Sequence, residues 1–526
     1  MPTGSKNSYD EVPYSEGCFH VSHPDHLAVL ALVHGVPAPD VERCRVLELG
    51  CARGGNLLPM ALELPDASFL GVDLSERQIG EARKTASLLG LSNVDLRAMS
   101  LTEIDESFGT FDFIVCHGVY SWVPDGVREK ILAICSENLA PNGLAFVSYN
   151  TYPGWHERGM VRELMLFHSR KATAVAGRIE KARAFPTELA GVLTNASSPY
   201  ASILRKEGEL LRGSEEAYFF HDFLEDDNQP TYVHEFLNRA GRHGLEFLAE
   251  ASKPGLMSSL TESARKAISS WADDTVSREQ YLDFVSNRSF RRTVLRRAGG
   301  PPAVEPAPEV VERLRVSSAL KRVDETAVVT DDSTVEFAQP GDSGSIRTNN
   351  PFVKAALQTL FEERPAALGF EDLWTKVRER LFEGGKPLPA PEEEGRKSVR
   401  AALLQLSLSD LAELHVRPPN PATEVSQRPV SSPLARLQAA RVARVTNLRR
   451  RSVDLTEFER DVLLLLDGTR DLEAVLEVLV GRVLSGGVQL KREGKAMRDP
   501  RAIRKAFAGE VGAVVRHFAT SALLER

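Results

Sequence analysis

Strand-like and helix-like stretches alternate between residues 45 and 150. Five runs have the apolar, β-branched and aromatic character of strands: "RVLELG", "SFLGVDL", "VDLRAM", "FDFIVCHG" and "GLAFVSYN". Between the second and third lies "SERQIGEARKTASLLG", a predicted helix opened by Ser75 as N-cap and closed by Gly90. "VREKILAICSENLAPNG" sets Val127, Ile131, Ile134 and Leu139 on one face and stops at Pro-Asn-Gly. This alternation predicts a parallel sheet covered by helices, an α/β core of the Rossmann-like kind. From residue 157 to 216 the period turns helical, which predicts an insertion. "TYVHEFLNRAGRHGLEFLAEA" then reads as a helix, a stop at Gly244 and a strand. Residues 217–250 are therefore expected to rejoin 1–156 in one sheet.

The rest of the chain reads as mainly α. Residues 251–300 continue the middle segment, and "GGPPAVEPAPE" opens a linker-rich stretch over 301–348. Three helices and a terminal strand over 349–420 predict a winged-helix-like module. Residues 432–526 predict a C-terminal helical domain.

Composition narrows the class. A chain of 526 residues with 42% hydrophobic positions can bury several cores. The net charge of −8 and pI near 5.9 make nucleic acid an unexpected partner. The five cysteines have no CxxC spacing, so no metal site is expected and a reducing cytoplasm suits them. The first residues lack the apolar core of a signal peptide, and no run approaches a membrane span. The basic runs "RSFRRTVLRR" and "RVARVTNLRRR" read as solvated helix faces or contacts to an acidic partner.

Candidate chemistry gathers at the predicted strand tips. In "VLELGCARGGN", Gly50, Ala52 and Gly54 form a G-x-A-x-G turn whose small residues let a ligand approach the backbone. Glu48 ends the first strand, where it can reach a ligand's ammonium. Asp73 ends the second, where a carboxylate accepts hydrogen bonds from two ribose hydroxyls. A dinucleotide would need G-x-G-x-x-G; acid before and after the glycines suits an adenosine joined to a cationic amino acid, S-adenosyl-L-methionine. The candidate contacts to this cofactor are Glu48, Gly50, Ala52, Gly54, Asn56, Asp73, Leu74, Gln78, Met99, Ser100 and His117. The fourth tip, "CHGVYSWVP", lacks the Asp-Pro-Pro-Tyr type motif, which argues against DNA-adenine or glutamine methylation. Tyr120, Trp122 and Tyr149 follow strands four and five, where cofactor and acceptor should meet.

The stretches "NSYDEVPY", "SHPDHLA", "LELGCARGGNL", "HGVYSWVP", "SYNTYPGW", "HDFLEDDNQPTYVHEFL" and "FERDVLLLLDGTRD" resemble those of bacterial class I methyltransferases with a methyltransferase regulatory domain. That family includes protein lysine methyltransferases acting on outer-membrane proteins. The resemblance spans most of the chain, and its tyrosine-rich motifs are the specific ones. It departs at "GCFHVSHP" and at Asp222, where the family pattern has Glu, and both departures touch the acceptor side. The resemblance implies SN2 methyl transfer to a neutral lysine amine of a protein, including an outer-membrane or surface protein, and it admits a homodimer. It also implies that Tyr14 covers the donor site, so the candidate catalytic residues are Tyr14, Tyr120, Trp122, Tyr149 and His221. Two alternatives stay open: a small-molecule O- or N-methyltransferase using His221 as base, and a cofactor-binding regulatory protein.

Overall fold

The structure is a computed structural model that describes residues 12, 17–193, 195, 197–252, 256–340, 344–382, 388–485, 491–492, 495–496 and 499–525. The chain forms two compact units. The first comprises residues 1–17 and 36–303, and the second comprises 18–35 and 304–526.

The first unit is built on a seven-stranded sheet. Its strands are β1 (Arg45–Leu49), β2 (Ser68–Asp73), β3 (Val94–Ala98), β4 (Phe111–Cys116), β5 (Leu139–Asn150), β6 (Leu245–Glu250) and β7 (Phe290–Arg297), in the order 3-2-1-4-5-7-6. The first five are parallel, and β7 runs antiparallel between β5 and β6. Register fixes which side chains share a face. Leu47, Leu70, Ile114 and Ala145 stand abreast, as do Glu48, Gly71, Val115 and Phe146. The first row belongs to a core with the Asp125–Glu137 and Val233–Arg242 helices, through residues such as Ile131, Ile134, Phe236 and Ala240. The second row leads, two residues on, to Asp73 and Ser148 at the carboxyl edge. Pleat alone thus separates a packing face from a chemical one.

After β5 the helices Gly154–Ser169, Val175–Val192, Pro199–Arg212 and Glu216–Phe223 make a lobe with its own core of Val161, Met165, Leu204, Leu211, Phe219 and Phe223. Of residues 217–250, expected to rejoin the sheet, 217–224 stay with this lobe, and only the Val233–Arg242 helix and β6 join the sheet. Residues 251–300, expected outside it, supply β7.

The basic run "RSFRRTVLRR" is thus a strand inside the sheet and not a solvated helix face. Arg288, Arg291 and Arg296 pair with carboxylates, whereas the side chains of Arg292 and Arg297 donate to Ser252 and to a backbone carbonyl. Arg291, fully buried, donates from Nε and Nη2 to the two oxygens of Asp283 at 2.8 Å each, and from Nη2 to Glu279 at 3.0 Å. Arg292 N donates to Glu250 Oε1 at 2.7 Å, and Arg297 reaches the Leu139 carbonyl. Bidentate pairing with satisfied lone pairs is the condition under which a charge is tolerated in a core.

The second unit includes the Pro24–Val33 helix, which the sequence assigned to the first domain. This helix is apolar nearly all round, and Val29 and Val33 join the core of the helices Pro351–Glu362, Phe370–Phe382 and Glu392–Leu408. Asp25 accepts from the backbone of Val416 and Arg417, and pairs with His415 Nδ1 at 2.9 Å. A three-stranded antiparallel sheet of Leu368–Gly369, Arg315–Ser317 and Glu413–His415 completes this part. The helices Pro433–Ala439, Glu457–Leu465, Leu472–Leu484 and Pro500–Thr520 enclose a separate core.

Truncating Arg291 leaves Asp283 and Glu279 buried without their counter-charge. Arg291→Ala is expected to cost about 3–5 kcal/mol of stability in denaturant unfolding. A loss below about 1 kcal/mol would contradict the assignment of β7 to this charge-lined slot.

Candidate active site

The turn after β1 is built from three residues with positive φ: Gly50 at 73°, Ala52 at 47° and Gly54 at 77°. At Gly50 the requirement is doubled, because a Cβ there would lie 2.4 Å from Val119 Cγ2. Ala52 takes the left-handed conformation at a cost of about 1–2 kcal/mol. Its amide is thereby aimed at Asp73 Oδ2, to which it donates at 2.9 Å. The other oxygen of Asp73 accepts from Ser75 N at 2.9 Å. Ser75 in turn caps the Glu76–Leu88 helix, accepting from the amide of the buried Gln78. One carboxylate therefore ties the glycine turn to the tip of β2 and to the start of the next helix. A carboxylate accepts about four hydrogen bonds, so anchoring two amides is compatible with receiving ribose hydroxyls.

Glu48 is buried on the same face. Asn56 Nδ2 donates to its Oε1 at 2.8 Å, while Oε2 has no hydrogen-bond partner among the described residues. Burial pushes its carboxyl up to about 8, against the Asn56 hydrogen bond, and the nearby Asp73 charge adds to the rise. A buried acid with one oxygen unmatched is a receptor for a cation.

Leu74, 67% exposed, stands just past Asp73. Met99 packs against the core, and its amide donates to the Asp73 carbonyl at 2.9 Å. Ser100 begins a capping box in which Glu103 accepts from the Ser100 amide, so a carboxylate does stand at the third tip. The sequence reading did not single out Glu103. A short capping turn gives no periodic signal.

His117 sits at the end of β4 between the rings of Phe146 (5.9 Å) and Phe290 (6.2 Å). Burial, with Arg292 nearby, lowers its pKa to about 3, so it is a neutral imidazole. Ser148 Oγ accepts from Gly118 N, and Ser121 Oγ from Asn150 N, both at 2.8 Å. These serines fix the β4 and β5 tips and had no signature in the sequence.

The aromatic residues expected beside the acceptor divide. Tyr149 lies on the packing face, one pleat away from Ser148. Its ring stacks on Phe236 at 4.1 Å, and its hydroxyl meets Thr293 Oγ1 at 3.0 Å. Tyr120 packs edge-on against Phe236 at 5.2 Å and belongs to the same core. Trp122 closes the same short turn and is only half-buried. His221 is a buried strut: Nδ1 meets Glu225 at 2.8 Å and Nε2 meets the Val12 carbonyl at 2.6 Å. Tyr14 lies outside the described residues. Among the described residues no acid, His and Cys group is placed to hold a metal.

Known sequence families match three segments: "Methyltransferase domain" over 46–143, "Predicted methyltransferase regulatory domain" over 215–297, and "PKMT, C-terminal winged helix domain" over 427–523. The chain is 35% identical over 531 residues to uncharacterized protein RP789 of Rickettsia prowazekii, covering 98% of this chain and 94% of that protein. The solved structure of PKMT2 from Rickettsia typhi in complex with AdoHcy superposes with a TM-score of 0.87 at 28% identity, over 97% of this chain and 100% of that one. The chain belongs to the PKMT family of class I, S-adenosylmethionine-dependent methyltransferases.

Two features of this methyltransferase then acquire meaning. The regulatory segment is no separate body, since it contributes the Val233–Arg242 helix, β6 and β7 to the catalytic sheet. The family's winged helix falls on 427–523, C-terminal to the 349–420 module in which the sequence reading placed that fold. Within the cradle, Glu48 fits the donor's ammonium, and Asp73, with Leu74 and Met99 nearby, suits its ribose and adenine.

Glu48 gives a pH signature. Between about 4.5 and 8 the folded chain holds the Glu48 proton and the unfolded chain does not. Its contribution to stability is therefore greatest at the acid end of that window and falls as pH rises towards 8. An ammonium beside Glu48 displaces the proton. The heat of S-adenosylhomocysteine binding at pH 7 should thus differ between phosphate and Tris buffers, and the difference should vanish in Glu48→Gln. Equal heats in the wild type would contradict the assignment. Tyr149→Phe should cost about 0.5–1.5 kcal/mol of stability and leave donor affinity and turnover alone. A selective fall in turnover would return Tyr149 to the reaction.

Proposed function

We propose that this methyltransferase transfers methyl groups to lysine side chains of a protein acceptor. The observation that carries the reading is the superposition on PKMT2 along almost the whole chain, both halves included. Bound S-adenosylmethionine supplies an activated methyl group for in-line transfer to a neutral amine. The chain's own part is alignment, desolvation and charge placement. The Glu48 carboxylate and the Asp73 carboxylate orient the donor from the first two strand tips. His117 remains neutral and so does not repel a lysine or a sulfonium. Trp122 and the "SYNTYPGW" stretch at the end of β5 edge the acceptor side.

An outer-membrane or surface protein is the acceptor class we favour, with the enzyme itself working in the reducing cytoplasm. Its five cysteines are free thiols, in keeping with that compartment. No helix among the described residues is long and apolar enough to cross a membrane. A homodimer is compatible with this reading.

Incubation with labelled donor and a lysate, followed by peptide mass spectrometry, is expected to place single or multiple 14 Da additions (one methyl each) on lysine. Label appearing only in the small-molecule fraction would overturn the reading in favour of a small-molecule methyltransferase.

A further inference from the structure

Beyond the donor cradle, the first unit carries a run of aromatic rings that its core does not use. Trp271, 53% exposed, lies 5.5 Å from Tyr281, which lies 6.4 Å from Phe284, itself 49% exposed. Phe284 lies 6.1 Å from Tyr232, and Tyr232 lies 5.1 Å from Tyr152. Tyr152 stacks on the exposed His156 at 4.2 Å, and His156 Nε2 and Tyr232 Oη are 3.0 Å apart. The rings come from four separate segments, so sequence proximity does not explain their alignment.

The run has a direction. Tyr152 stands two residues beyond Asn150, the last residue of β5, and Asn150 pairs with Phe290, whose ring meets His117 edge-on. Its inner end therefore reaches the carboxyl edge of the sheet on the acceptor side. Gly154 makes this junction possible: a Cβ there would lie 2.7 Å from the Asn287 carbonyl, so the turn before β7 and the helix after β5 can touch. That contact brings the Phe284 end of the Thr275–Ser286 helix beside Tyr152 and Tyr232.

Acids flank the run at both ends. Asp273 and Asp274, two and three residues past Trp271, are exposed. Glu235 caps the Tyr232 amide, and burial, then Tyr232, Glu235 and Glu163, raise the Tyr152 hydroxyl above its ordinary value. Such a rim repels anionic lipid headgroups and nucleic acid and attracts a basic chain. Ring spacings of 5.1–6.4 Å also approach the repeat of about 6.6 Å between alternate side chains of an extended polypeptide. Aromatic faces attract lysine and arginine cations and pack against apolar side chains.

The geometry points to this strip as a docking track for an extended, lysine-bearing polypeptide that feeds the acceptor side of the site. The inference rests on the proposed lysine methyltransferase reading and adds where the acceptor chain binds. It also gives the regulatory segment a task, since Tyr232, Trp271, Tyr281 and Phe284 all lie within residues 215–297.

The test uses the full-length protein and a synthetic unstructured peptide of alternating lysine and serine residues, a net-basic chain of the kind such a rim attracts. Trp271→Ala combined with Phe284→Ala is expected to raise its KM about tenfold, since two ring contacts of about 0.5–1 kcal/mol each are lost. The kcat and S-adenosylhomocysteine affinity should be retained, and Phe284→Tyr should restore most of the loss. An unchanged KM would overturn the track. A change of oligomeric state in the double variant would also overturn it, by making the strip a face between copies. Fluorescence anisotropy with the labelled chain separates this inference from the function. Binding lost only in the variant, with no lysine methylated by the wild type, would support docking while sinking the lysine reading.

Discussion

The Asp73 carboxylate is the constraint on which the site depends. It accepts from the Ala52 amide with one oxygen and from the Ser75 amide with the other. Without it, Ala52 would have no reward for its left-handed backbone, and the turn could relax away from the β2 tip. The turn also seats Asn56, which orders one oxygen of Glu48, while the other has no partner among the described residues. Two adjacent strand tips are therefore tied together through backbone amides before any ligand arrives.

The rest of the first unit divides along the pleat. The row through Leu47, Ile114, Val147 and Tyr149 packs on helices, whereas the row through Glu48, Val115, Phe146 and Ser148 leads to the chemistry. Placing β7 between β5 and β6 extends this sheet and brings Phe290 against His117. The cost is a buried arginine, offset by Asp283 and Glu279. A segment that matches a regulatory-domain family thus completes the sheet directly.

What the sequence revealed was whatever is local. Glu48, the glycine turn and Asp73 belong to short strand–turn–helix units, so their places at the strand tips followed from period and position. The helical lobe was legible apart from its last helix, Glu216–Phe223, which lies beyond the expected 157–216. Tyr149 was misplaced because β5 is apolar on both faces, and a continuous apolar run hides which residue points where. β7 was missed because its arginines imitate a solvated run, and their partners Asp283, Glu279 and Glu250 become neighbours only on folding. The Pro24–Val33 helix joins a distant module through Asp25 and His415, a pairing across nearly 400 residues that no window can detect.

The central claim is that Glu48 and Asp73 together form the donor cradle. A crystal structure of the protein with S-adenosylhomocysteine tests it most directly. The account predicts the ligand's amine within hydrogen-bond reach of Glu48 Oε2, directly or through one water, and its ribose hydroxyls on Asp73. A ligand whose amine lies elsewhere, with Glu48 still unmatched and Asp73 bonded only to backbone, would contradict it.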